Sequence, residues 1–148
     1  MSTNEGLRTI DSEEAKRLVE EENYTYLDVR TEGEYVRAHP VGAYNIPFLE
    51  RDPATFQMVP NHDFMKVVEA HFEKDAKLVV ACQAGGRSLR AANALVGAGF
   101  TNVINNHPGF GGARGPSGEV MPGWAAMGYA VESNDGGDLG YQKLSKKG

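Results

Sequence analysis

The sequence predicts one α/β domain: a mostly parallel central sheet with helices on both faces. Three observations lead there. Short apolar or β-branched runs alternate with segments whose apolar residues recur every three or four positions. At 148 residues, 41% hydrophobic and 24% charged, the chain is ordinary for a folded protein; domains of roughly 100–200 residues build a single core. The apolar run Lys77 to Cys82 is followed by a glycine pair and then a helical pattern, the strand–loop–helix order of such folds.

Taken in order, Asp11 with Glu14 three residues on caps a helix whose stripe is Ala15, Leu18 and Val19, running to about Glu22. Tyr24 to Val29 is aromatic and β-branched, hence a strand, and Thr31 with Glu34 forms a second capping box opening a short helix. Ala43 to Ile46 is a short strand-like run stopped by Pro47, and Leu49 to Pro60, broken by prolines, is expected to be an irregular connection. Phe64, Val67, Val68, His71 and Phe72 line one face of a helix from about Asn61 to Glu73. Lys77 to Cys82 reads as a buried strand, Ser88 as the cap of a helix ending near Gly97 and Gly99, and Phe100 to Asn105 as a further strand. Fifteen of the 18 glycines lie from Gly85 onward, so the second half should be richer in turns. The division expected is an N-terminal tail over 1–8, a domain over 9–132 with a glycine-rich loop insertion at 109–123, and a polar, flexible C-terminal tail over 133–148.

A net charge of −5 and a pI near 5.4 argue against a surface that holds nucleic acid or anionic lipid. The apolar runs are far short of the roughly 20 residues that span a bilayer, so no membrane partner is expected. The start of the chain lacks a basic segment followed by an apolar run, and a single cysteine allows no internal disulfide. A reducing, cytoplasmic location is therefore expected, an already processed organellar protein being the alternative, and a monomer is expected. His39, His62, His71 and His107 are scattered without metal-ligand spacing, so packing roles and no metal are expected.

The chemistry concentrates at Cys82. It stands at the carboxyl end of an apolar strand, where open α/β sheets bind ligands, before a helix N-terminus that offers unpaired N–H groups and a positive dipole end. Gly85 and Gly86 let successive N–H groups curl around one centre, and Arg87 adds a permanent charge. Such surroundings favour a thiolate, which is nucleophilic. A lone cysteine is more often a small buried hydrophobe, but a core cysteine needs neither two glycines nor an arginine after it. With no second cysteine, a Cys-x-x-Cys redox cycle within one chain is excluded.

Leu27-Asp28-Val29-Arg30, then Glu34-Tyr35 through His39, then Gly42 to Pro47, resembles the first signature of rhodanese-fold sulfurtransferases. Val79 to Ser88, then Gly99-Phe100, Asn102-Val103 and Trp124 leading to Gly128-Tyr129, is similar to the family's active loop and C-terminal portion. The resemblance covers about Thr9 to Glu132 and is greatest to single-domain thiosulfate sulfurtransferases of the plant and bacterial type. It implies a rhodanese-like fold and a cysteine that takes the outer sulfur of a donor such as thiosulfate as a persulfide. That sulfur then passes to cyanide, a thiol or a protein acceptor, with no cofactor. On this resemblance Cys82 is the nucleophile, and the backbone of Gln83, Ala84, Gly85, Gly86, Arg87 and Ser88 cradles its sulfur. Arg87 attracts thiosulfate, a surface ion pair being its alternative role. Asp28 and Arg30 tie the active loop to neighbouring backbone, and Trp124 packs in the core. Ala38 stands where the family has glycine before His39, Pro40-Val41 where it more often has Ile-Pro, and extra residues separate Gly112 from Trp124.

Two other functions compete. Phosphatases and arsenate reductases of the same fold resemble Cys-x5-Arg, a ring fitted to a tetrahedral oxyanion, whereas Cys82 to Arg87 is Cys-x4-Arg. A non-enzymatic docking module would leave the cysteine loop without purpose. Gly109-Phe110-Gly111-Gly112 lacks the Lys-Ser/Thr of a P-loop and is expected to be a flexible turn. The insertion from Ala113 to Met121 leaves a strand whose carboxyl edge is that of Cys82, so it is expected beside the mouth of the site.

Overall fold

A computed structural model describes residues 7–146. The elements run β1 (Arg8–Ile10), α1 (Ser12–Glu21), β2 (Thr25–Asp28), α2 (Glu32–Arg37), β3 (His39–Pro40), β4 (Tyr44–Asn45), β5 (Leu49–Arg51), β6 (Met58–Pro60) and α3 (Phe64–His71). They continue as β7 (Lys77–Ala81), α4 (Gly86–Gly97), β8 (Asn102–Asn106), β9 (Ala113–Arg114), β10 (Val120–Met121), β11 (Val131–Glu132), a 3-10 turn (Gly137–Leu139) and α5 (Tyr141–Leu144). Five strands form the central sheet in the order β1-β8-β7-β2-β4, every neighbouring pair parallel. The expected α/β fold is therefore the observed one.

Both faces of this sheet are apolar, as a sheet covered on both sides requires. On one face Leu27, Leu78, Val80 and Val103 pack against Val67 and Val68 of α3 and Ala92 and Leu95 of α4. On the other, Val79 and Ile104 meet Ala15 and Leu18 of α1, while Tyr26 and Ala81 meet Tyr35 of α2 and Trp124. Trp124 is thus a core residue, edge-on to Tyr26 and Tyr129, with its indole N–H donating to Ala130 O at 3.0 Å. His39 is fully buried, stacked on Tyr35 and bonded to Tyr35 O and the Glu132 carboxylate. Among the described residues no helix is long and apolar enough to cross a membrane.

The locally encoded starts are as the sequence predicts. The Asp11 side chain accepts from Glu14 N, and Thr31 and Glu34 form a complete capping box. Other expectations need correction. Residues 49–60 are an antiparallel hairpin, with Leu49 opposite Pro60 and Arg51 opposite Met58, so the prolines flank pairing without preventing it. The helix expected from Asn61 starts at Phe64, because the Asn61 side chain turns the chain by accepting from Asp63 N and reaches Pro47 O and the Tyr141 hydroxyl. Arg8, placed in the N-terminal tail, begins β1 and pairs with β8. The segment 133–148, expected to be a flexible tail, carries α5, whose Tyr141 and Leu144 sit three residues apart and are buried in the main core. Its polar partners are Asn61 and His71, the latter bonded to Leu144 O at 2.8 Å.

Candidate active site

β7 ends at Ala81 and delivers Cys82 to the carboxyl edge of the sheet, where the chain turns through Gln83 and Ala84 into α4. Cys82 is 2% exposed. Its sulfur accepts from Gly85 N at 3.1 Å and lies 3.6 Å from Ser88 Oγ. The geometry depends on Gly85. Its φ is +95°, and a Cβ there would stand 2.6 Å from His107 O, so only glycine fits. Gly85, not Ser88, is the residue preceding the helix. Ser88 lies inside the first turn, fully buried, its hydroxyl 2.7 Å from Asn105 Oδ1 and 3.2 Å from Gly85 O. It acts between the sulfur and β8 rather than as a cap. The twelve-residue α4 points its positive dipole end at the sulfur, and an anion placed there is stabilised.

The second wall of the site is Gly109 to Gly111, the segment expected to be a flexible turn. Phe110 N donates to Cys82 O at 2.8 Å and Gly111 N to Gln83 O at 2.9 Å, so two successive peptides clamp the backbone of the cysteine loop. A Cβ at Gly109 would collide with Cys82 O, and one at Gly111 with the Gln83 amide. These glycines serve close approach, not motion.

Asp28 and Arg30 form a buried ion pair beneath this loop, with Arg30 Nη2 2.8 Å from Asp28 Oδ2 and Nε bonded to both carboxylate oxygens. Arg30 also donates to Gln83 Oε1 at 3.1 Å and Ala38 O at 2.7 Å, and its guanidinium lies over the Phe110 ring. Burial opposes its charge, but the Asp28 carboxylate outweighs burial and raises the Arg30 pKa above its ordinary value. Arg30 thus binds loop, clamp and α2 terminus together. Ala38 is extended, with φ −172°, its N–H donating to Glu34 O at 3.4 Å and its carbonyl accepting from Arg30, a conformation that does not require glycine.

Arg87 leaves the first turn of α4 and forms a two-pronged pair with Glu34 of α2, at 2.6 and 3.0 Å. Burial would push the Glu34 carboxyl up, yet hydrogen bonds from Arg87 and the Thr31 backbone outweigh it and hold the group at about 2 instead of 4.5. The ion-pair role of Arg87 is the one this geometry displays, though with a helix partner that the sequence reading did not name. Beside the pair a cavity of about 330 Å³ is lined by Arg30, Glu34, Arg37, Ala38, Gln83 and Phe110. Cys82, its loop through Ser88, Asp28 and Arg30 therefore fall in one place, joined by Glu34, Phe110 and Ser88's partner Asn105. The insertion forms the hairpin β9–β10 on the same sheet edge, but its Arg114 and Met121 line a different cavity, of about 730 Å³, with Arg8 to Asp11. The hairpin also touches the residue that packs on Gly85, His107, whose Nε2 is 2.6 Å from Arg114 O. Among the described residues no histidine, cysteine and carboxylate cluster is arranged to hold a metal ion.

Residues 11–113 match the rhodanese-like domain family. The chain belongs to that family. Among rhodanese relatives, it is 42% identical over 80 residues, 54% of its length, to thiosulfate sulfurtransferase 16, chloroplastic, of Arabidopsis thaliana, covering 65% of that protein. It is 36% identical over 104 residues to thiosulfate sulfurtransferase 18 of the same plant, 69% of this chain and 74% of the relative. The chain spans 50–65% of the length of the first curated relatives it matches. Of solved structures, Rv0390 from M. tuberculosis superposes with a TM-score of 0.67 at 23% identity, covering 85% of this chain and 97% of that one. A rhodanese-related protein from Thermoplasma volcanium gives 0.60 at 22%, over 86% and 99%. At such identities these two likenesses establish the rhodanese fold alone.

Proposed function

We propose that this protein is a sulfurtransferase that moves sulfane sulfur from thiosulfate, or a similar anionic donor, to cyanide or a thiol through a persulfide on Cys82. The observation that carries the reading is the Cys82 sulfur itself, held at 3.1 Å by the Gly85 N–H under the N-terminus of α4. The family and its members named thiosulfate sulfurtransferase support it.

In the first half-reaction the Cys82 thiolate attacks the outer sulfur of thiosulfate. A new S–S bond forms, the donor's S–S bond breaks, and its electron pair leaves on sulfite. The resulting persulfide anion occupies the centre of the loop, where preset backbone dipoles and the helix terminus stabilise charge without reorganising. In the second half-reaction cyanide attacks the terminal sulfur, thiocyanate departs and Cys82 returns as thiolate. Low-molecular-weight or protein thiols are proposed as alternative acceptors. Arg30 and the Gly109 to Gly111 clamp act on this chemistry by fixing the loop, and none of the steps requires a metal or cofactor.

Intact-mass measurement tests the reading. Thiosulfate should add one sulfur atom to the protein and cyanide should remove it as thiocyanate, with Cys82→Ser inert in both. Thiocyanate production retained by Cys82→Ser, or hydrolysis of an aryl phosphate at rates comparable to thiosulfate turnover, overturns the proposal.

A further inference from the structure

We propose that Arg37 is the residue that captures the anionic head of the sulfur donor, in the cavity it shares with Gln83; this rests on the sulfurtransferase reading of Cys82. Three arginines approach the loop. Arg30 is neutralised by Asp28 at 2.8 Å and Arg87 by Glu34 at 2.6 Å. Arg37, in the last turn of α2, has no ion-pair partner among the described residues. Of these three guanidinium groups, Arg37 is the one that no carboxylate pairs among the described residues.

The position suits the task. Arg37 is exposed and lines a cavity of about 330 Å³ together with Gln83, the residue directly after the nucleophile, and Phe110 of the clamp. A protein of net charge −5 repels a dianion at long range, so a local unpaired cation beside the loop is what draws one in. The two paired arginines cannot reorient toward a ligand without stranding a buried or half-buried carboxylate, whereas Arg37 gives up only water. The fixed loop supplies the chemistry and Arg37 selects for charge on the donor, favouring dianionic thiosulfate over monoanionic organic thiosulfonates.

The test compares wild type, Arg37→Gln and Arg37→Lys with thiosulfate and with methanethiosulfonate, at low and high ionic strength. For a charge at contact distance in water-like surroundings, Arg37→Gln should raise the KM for thiosulfate roughly thirtyfold and for the monoanion roughly fivefold, with kcat unchanged. Arg37→Lys should restore most of the loss, and salt should erase the difference between wild type and Arg37→Gln. An unchanged KM, equal effects on both donors, or a fall in kcat alone overturns the inference. Calorimetric titration of thiosulfate into Cys82→Ser, with and without Arg37→Gln, separates donor capture from sulfur transfer. Failure of wild type to take up sulfur refutes the sulfurtransferase reading, while a thiosulfate Kd indifferent to Arg37→Gln refutes the capture role by itself.

Discussion

Replacing Glu34 with glutamine isolates one charge in the site. The capping role survives, because glutamine can still accept from Thr31 N, which Glu34 does at 3.0 Å. What is lost is the attraction to Arg87. In the folded protein burial disfavours the ionised Glu34, but Arg87 and Thr31 hold its titration at about 2, against an ordinary 4.5. Taken at face value that difference corresponds to roughly 3 kcal/mol. The side chains remain 26% and 18% exposed, so water screens the pair and about 1–1.5 kcal/mol is the expected loss at neutral pH. Because the folded value is depressed, the stabilisation is complete above 4.5 and disappears as the pH falls toward about 2. Urea unfolding of wild type and Glu34→Gln at a series of pH values should thus give a stability gap that is constant from neutral down to about pH 5 and closes below it. The corresponding shift in melting temperature at neutral pH is about 2–6 °C for a chain of this size. A gap that persists undiminished at the acid end, or no gap at pH 7, would refute the assignment of this stabilisation to the Arg87–Glu34 pair.

Gly85→Ala should slow persulfide formation at least tenfold and destabilise the fold by about 1–3 kcal/mol, since a left-handed alanine must also clear His107 O; unaltered sulfur uptake by mass spectrometry would count against the loop geometry. Leu144→Ala should cost about 2–3 kcal/mol in urea unfolding if α5 is part of the core, and a change near zero would show that it is not. Arg30→Gln should cost about 3 kcal/mol or more by leaving Asp28 buried without its partner, and the double variant with Asp28→Asn should cost less than the sum of the singles. Strict additivity in that cycle would contradict the pairing.

What was legible in the sequence was what is encoded locally or by period. Asp11 with Glu14 and Thr31 with Glu34 announce helix starts because each cap is closed within three residues. The run ending at Cys82 reads as a buried strand because both faces of a covered parallel sheet are apolar. Ser88 was misread as a cap because the residue that precedes α4 is decided by Gly85 packing on His107, 22 residues away in sequence, a contact no local pattern records. The β5–β6 hairpin escaped notice because Glu50, Arg51 and two prolines suppress its apolar alternation, leaving backbone pairing as its signature. The partnership of Arg87 with Glu34 spans 53 residues and was equally hidden. One signal was available and undervalued: Gly109 and Gly111 spaced for close backbone approach, which here means the clamp on Cys82 and Gln83.

The borders of the central sheet have a bearing on how safely this chain folds. β1 offers three residues and β4 two, the shortest strands of the sheet lying at its outer edges. Arg8 on β1 is charged and paired with Glu14, and Pro47, lacking an N–H, follows β4 closely. Parallel sheets assemble slowly through distant contacts, so their rims stay open to other chains while the core forms. Short, charged and proline-bounded rims give an incoming strand little to copy, which blunts edge-to-edge growth into aggregates during that interval.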